Sequence, residues 1–225
     1  DIEPSRGLGD VYKRQSMVRA CIEATEVPIT VKMRLGTGSG ENTALEICER
    51  LEAEGVERVC VHGRTLRQRY SGEADWDQIR EISQAVSIPV IANGDVIDSS
   101  TASECLEATG ASGLMIGRGA IGRPTIFYEI KRDLGWITGP PPWGEGGDAI
   151  ARAWCWNRYL ELCEDIYADS RNKNLKRHAV SFTKGLPGAS AMRVDLHGEG
   201  NQRKLGRMVS EYLEGLALLN EVTAA

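Results

Sequence analysis

Ile88-Pro-Val-Ile-Ala-Asn-Gly-Asp95 is a short apolar run that ends in a tight polar tip, and its reading decides the fold. A β-branched run of four to eight residues suits a strand buried on both faces, as in a parallel sheet. Three more runs share the form: Ile29-Thr-Val-Lys-Met-Arg34, Arg58-Val-Cys-Val-His62-Gly-Arg64-Thr65 and Gly113-Leu-Met-Ile-Gly117-Arg118-Gly119. They start about 25 to 30 residues apart, and a helical pattern follows each. That repeat predicts right-handed βαβ units in an α/β fold, as in one half of a (β/α)8 barrel. Functional groups of such barrels gather where the strands end, so the polar tips are the candidate site.

The intervening helices are readable in detail. Residues 16–25 predict a helix with Met17, Ala20, Cys21 and Ala24 on one face. The next spans about 42–54, with Ala44, Leu45, Cys48 and Leu51 as its apolar stripe and Gly55 just past its end. Asp75 is placed to cap a third, which turns Trp76, Ile79, Ile82 and Val86 inward. Thr101-Ala-Ser-Glu104 has capping-box spacing for a fourth that stops at Gly110. Pro124, suited to a first helical position, opens a fifth that buries Ile126, Phe127, Ile130 and Leu134.

Residues 135–147 hold three prolines and five glycines, which neither a helix nor a central strand accommodates. Beyond them, 148–167, 170–184 and 202–220 read as helices. The expected organisation is an unmatched leader at 1–15, a partial barrel at 16–138, a linker at 139–147 and a helical domain at 148–225.

Hydrophobic content of 41% and charged content of 26% are ordinary for a globular chain of 225 residues. No run reaches the roughly 18 apolar residues of a membrane helix. Six scattered cysteines without a C-x-x-C pair argue against a zinc site or a disulfide framework, and suit a reducing cytoplasm. The net charge of −5 alone disfavours a polyanionic partner, yet residues 171–207 carry nine Lys/Arg against only Asp195 and Glu199. Such segregation fits either a nucleic-acid footprint or a solvated helix face.

At the tips, Lys32 and Arg34 project to one face of their strand while Val31, Met33 and Leu35 take the other. A lysine inside a barrel needs an anionic or strongly polar partner, either a ligand or an acid on a neighbouring strand. Gly117-Arg118-Gly119 ahead of a helix, together with Asn93-Gly94-Asp95, is either a phosphate cradle or a pair of tight turns.

Val31-Lys-Met-Arg-Leu-Gly36, Val61-His-Gly-Arg-Thr65, Ala92-Asn-Gly-Asp95, Ile116-Gly-Arg-Gly-Ala120, Ile121-Gly-Arg-Pro-Thr-Ile-Phe127 and Lys184-Gly-Leu-Pro-Gly-Ala189 occur in order between about residues 16 and 193. This set resembles the last four strand ends, and the helical domain, of tRNA-dihydrouridine synthases, most of all the bacterial subgroup B branch. The resemblance implies that the cytoplasmic enzyme reduces the C5=C6 bond of a tRNA uridine: NADPH reduces FMN, FMN passes a hydride to C6, and an acid protonates C5. It implies FMN binding by Lys32, His62, Asn93, Gly94, Asp95, Gly117 and Arg118. It further implies contacts to tRNA by Arg34, Arg64, Lys176, Arg177 and Lys184.

The family's proton donor, a cysteine in an Asn-x-Gly-Cys-Pro motif, has no counterpart in this sequence. Cys21 lies on a predicted helix and Cys60 inside a predicted strand, so no catalytic residue is assigned and the chain is expected to be an inactive, truncated form. No metal or membrane partner is expected, whereas open barrel edges favour self-association. A dihydroorotate-dehydrogenase-like FMN barrel and a non-catalytic fragment are the alternatives.

Overall fold

The computed structural model describes residues 8–38, 43–144, 146–167 and 174–224. Two compact units emerge, Asp1–Gly117 and Arg118–Ala225.

In the first unit, strands β1 (Thr30–Arg34), β2 (Arg58–His62), β3 (Val90–Asn93) and β4 (Gly113–Met115) form one parallel sheet in chain order. Helices α1 (Leu8–Glu23), α2 (Ala44–Ala53), α3 (Trp76–Ala85) and α4 (Ser99–Thr109) alternate with them. This is the α/β arrangement of half a (β/α)8 barrel, as the repeat predicted, and a helical region follows it.

The register explains how the two faces differ. Met33, Val61, Ala92 and Leu114 align across the sheet, as do Val31, Val59 and Val90. Val59, Val61 and Ala92 are wholly buried on this face, where the Met33 thioether meets the α2 thiol of Cys48 at 3.6 Å. The buried stripes of α2 (Ala44, Cys48, Leu51) and α3 (Ile79, Ile82) pack here, each large side chain contributing roughly 1.5–3 kcal/mol. The opposite face carries Lys32, Cys60, Ile91 and Gly113 in one row and Arg34, His62, Asn93 and Met115 in the next.

Helix ends follow local chemistry. Asp75 caps α3 by accepting the Gln78 N–H at 3.0 Å, and Gly55 and Gly110 adopt positive φ just beyond α2 and α4. Other expectations need correction. The first helix begins at Leu8 instead of Ser16, and it packs through Val18 and Ile22 while Met17, Ala20, Cys21 and Ala24 are exposed. Arg19 pins it to α2 through a bidentate contact with Glu54 at 2.7 and 2.8 Å. The α4 capping box joins Asp98 to Thr101, not Thr101 to Glu104, because Glu104 accepts from Ser100 one turn back, at 2.9 Å.

The second unit contains a 3-10 turn at Arg118–Ala120 and helices α5 (Ile126–Asp133), α6 (Asp148–Tyr167), α7 (Leu175–Thr183), α8 (Ala189–Gly198) and α9 (Gln202–Ala224). Pro124 lies ahead of α5 in an i→i−3 turn instead of at its first position, and Phe127 is exposed while Ile126 and Ile130 are buried. Among its described residues the glycine–proline stretch is irregular, as expected. The predicted helix at 170–184 starts at Leu175, its residues 170–173 lying outside the described ones, and α8 was not anticipated. Trp156, Leu175, Phe182, Leu196, Val209 and Leu213 form the core of α6–α9. Gly206 lets α6 and α9 close up: its carbonyl accepts the Trp156 indole N–H at 3.1 Å, and an added Cβ would lie 3.3 Å from the Leu160 methyls. No helix among the described residues is long and apolar enough to cross a membrane.

Candidate functional site

The polar row of the sheet is a connected surface. Lys32 is exposed, and its Nζ donates to Asn93 Oδ1 at 3.0 Å. Asn93 Nδ2 in turn donates to the Met115 carbonyl at 2.7 Å, so β1, β3 and β4 are tied through side chains at their ends. The partner that Lys32 requires is thus partly supplied by a neutral amide instead of an acid, leaving its charge uncompensated by that contact. Cys60, the register partner of Lys32, is buried; burial pushes its thiol pKa up while the Lys32 cation pulls the other way.

His62 closes β2 and is also buried. Burial first, then the cations Arg34, Lys32 and Arg64, depress its pKa to about 4, against a smaller opposing pull from Asp95. The imidazole is therefore neutral at physiological pH, a hydrogen-bonding group and not a proton reservoir. Beside it, Gly94 has φ 129°, and an added Cβ would sit 2.6 Å from the Ala74 Cβ and 3.2 Å from His62 Cδ2. Glycine is required there.

Arg34 and Arg64 serve the loops. Arg34 Nη1 donates to the carbonyls of Thr65 and Arg69, both at 3.0 Å, with its guanidinium 5.8 Å from the Tyr70 ring centroid. Arg64 is 2% exposed and donates to the carbonyls of Ser71 and Gly72 and, at 2.7 Å, to Asp95 Oδ2. Its Nη1 is buried without a hydrogen-bond partner. Asp95 has φ 59° and also accepts the Ala74 N–H at 2.7 Å, so its carboxylate locks the β2 and β3 tips together. Arg64 thus binds its own chain, and a phosphate contact would need that lock to open.

Gly117 is exposed at the end of the first unit, with open space where a Cβ would stand. Arg118 opens the second unit, also exposed, at the head of the 3-10 turn. In that unit Lys176 and Arg177 lie on α7, and Lys184 caps its end. Lys176 donates to the His197 carbonyl at 3.0 Å, while Arg177 and Lys184 are exposed. Arg171 and Lys173 lie outside the described residues.

Tyr70, between Arg34 and His62 with its ring 6.4 Å from the imidazole, was missed from sequence. Its signal was the cation-rich, acid-free segment Arg64-Thr-Leu-Arg-Gln-Arg-Tyr70. Among the described residues no cluster of three or more His, Cys, Asp or Glu is placed to hold a metal.

The family model described as dihydrouridine synthase matches residues 10–214. A probable tRNA-dihydrouridine synthase of Rickettsia conorii is 38% identical over 218 residues, covering 96% of this chain and 64% of the relative. Its counterpart in Mycobacterium tuberculosis is 38% identical over 194 residues, covering 81% of this chain and 48% of that protein. tRNA-dihydrouridine synthase B of Yersinia pestis is 44% identical over 170 residues, covering 75% and 51% respectively. The chain thus spans about half to two thirds of the length of these relatives. A solved nitroalkane oxidase from Streptomyces ansochromogenes, 16% identical, covers 99% of this chain and 80% of its own at a TM-score of 0.30, too slight a likeness to bear on fold or function. With its model matched across the sheet, both tip loops and most of the helical unit, the chain belongs to the dihydrouridine synthase family.

Proposed function

We propose that this chain supplies the flavin-binding and tRNA-binding parts of a cytoplasmic tRNA-dihydrouridine synthase. The observation that carries the reading is the alignment of Lys32, His62 and Asn93 on one face of adjacent strand ends, beside a glycine whose added Cβ would collide with Ala74. FMN, reduced by NADPH, would supply the hydride that saturates the uridine ring. The face suits such a group: Lys32 is exposed, held in place and cationic, so it favours an electron-rich ring, and neutral His62 offers a hydrogen bond without adding charge.

Gly94, Gly117 and Arg118 are the proposed phosphate contacts, with Asn93 orienting Lys32 and Asp95 holding the loop through Arg64. Backbone N–H groups approach an anion closely where no side chain intervenes, and a guanidinium binds phosphate through two bonds. Residues 16–138 and 148–225 remain our proposed domains, with Lys176, Arg177 and Lys184 as tRNA contacts and with self-association through the outer edges of β1 and β4.

Protonation at C5 requires an acid, and the Asn-x-Gly-Cys-Pro motif that would carry it is not found in this sequence. His62 is neutral, and Cys60 is buried in a strand with its thiol pKa raised. General acid catalysis is typically worth about a hundred- to ten-thousandfold, so we propose that the chain alone does not make dihydrouridine. The test measures dihydrouridine in unmodified tRNA after incubation with FMN, NADPH and either the chain or the chain fused to the first barrel half of a related synthase. Product from the fusion alone supports the reading; turnover by the unfused chain refutes the claim of inactivity, and no product from either refutes the function.

A further inference from the structure

We infer that Arg152 and Tyr212 are positioning residues: from α6 and α9 they clamp the turn between α7 and α8, and so fix where Lys184 presents its charge. The inference rests on the reading of Lys184 as a tRNA contact. The turn, Lys184-Gly-Leu-Pro-Gly188, holds two glycines at φ 80° and 74°, residues whose wide conformational freedom makes them costly to order. Within it the Leu186 N–H donates to the Thr183 carbonyl at 3.3 Å and the Ala189 N–H to that of Leu186 at 3.1 Å. Lys184 itself is extended, at φ −61° and ψ 132°, and exposed.

The clamps come from outside the turn. Arg152 Nη1 donates to the carbonyls of Phe182 at 3.2 Å and Lys184 at 2.8 Å, while Nη2 pairs with Asp148 at 2.8 Å, one turn earlier on α6. The Tyr212 hydroxyl donates to the Pro187 carbonyl at 2.6 Å. Gly122 closes a further side, since an added Cβ there would collide with the Ser181 carbonyl. Water can satisfy the last carbonyls of a helix that ends in an exposed turn. Arg152 is a costlier donor, because its side chain is only 13% exposed and its Nε is buried without a hydrogen-bond partner. What the guanidinium adds is fixed geometry: a planar cation anchored at Asp148 and aimed at both carbonyls, at the helix end where a positive charge is favoured. A turn held in this way offers the Lys184 ammonium to an anionic partner without first having to be ordered.

The test measures binding of unmodified tRNA to the full chain by fluorescence anisotropy between about 50 and 200 mM salt, where the slope of log affinity against log salt reports phosphate contacts. Lys184→Ala, in an otherwise unaltered chain, should shallow that slope by about 0.7 to 0.9. In an Arg152→Met/Tyr212→Phe background, which nearly keeps the volumes and removes the clamps, the same change should have less than about half that effect, a coupling that a purely structural role would not produce. Tyr212→Phe alone deletes one hydroxyl and no charge, and it should reduce the Lys184 effect in the same direction. It decides the matter if a circular dichroism melt shows the double variant to be unfolded. A full Lys184 effect in every folded background overturns this inference alone. No Lys184 effect in the otherwise unaltered chain overturns it together with the assignment of Lys184 to tRNA.

Discussion

Replacing Arg64 by alanine should cost the first unit about 3 kcal/mol. Removing one partner of a buried ion pair typically costs about 3–5 kcal/mol, because the other charge is left without compensation. Arg64 itself is 2% exposed, whereas the Asp95 side chain is 30% exposed and keeps the Ala74 N–H, so the lower end applies. The carbonyls of Ser71 and Gly72 lose their donor as well. Amide hydrogen exchange of β2 and β3 reads this unit separately from the helical one. A loss of about 3 kcal/mol should accelerate their exchange about a hundredfold. The double variant Arg64→Met/Asp95→Asn removes both charges, and its loss should fall well below the sum of the two single losses. Exchange within a few-fold of the unaltered chain in Arg64→Ala, or strict additivity in the double variant, would refute the lock between the two tips.

Gly94→Ala should destabilise the first unit by about 2–5 kcal/mol, combining overpacking with positive-φ strain, and adding Ala74→Gly should restore the overpacking share in a thermal melt. His62 takes up its proton near pH 6.5 when unfolded but near 4 when folded, so the unfolded form binds more protons between those values. Stability should therefore fall on acidification through that window; an equal fall in His62→Gln would count against the assignment. Sedimentation of the chain should show concentration-dependent self-association, and a monomer at all concentrations would contradict the proposed exposure of both sheet edges.

Much of the first unit was legible because strand and helix periods are local properties. Alternation alone separated Lys32 and Arg34 from Val31 and Met33, and the register confirms two distinct faces. Gly55 and Gly110 marked helix ends because positive φ is a single-residue demand. The roles of the tip cations were not legible. Arg64 reads as an available charge until Asp95, 31 residues away, is seen to hold it. The α4 cap was misplaced because Thr101 fits either a cap or a box partner, and only the pairing of Ser100 with Glu104 decides between them. Helix α8 escaped because its stripe is sparse: Ala189 and Leu196 are buried, but Val194 is exposed.

The most direct test of the account is FMN binding to the chain fused to the first barrel half of a related synthase, followed by flavin fluorescence. The fusion should bind FMN saturably. Arg118→Ala, which removes a charge-assisted phosphate contact of about 1.5–3 kcal/mol, should weaken it roughly ten- to a hundredfold, and Lys32→Ala should weaken it as well. Unchanged FMN affinity in both variants would contradict the claim that these strand tips hold the flavin.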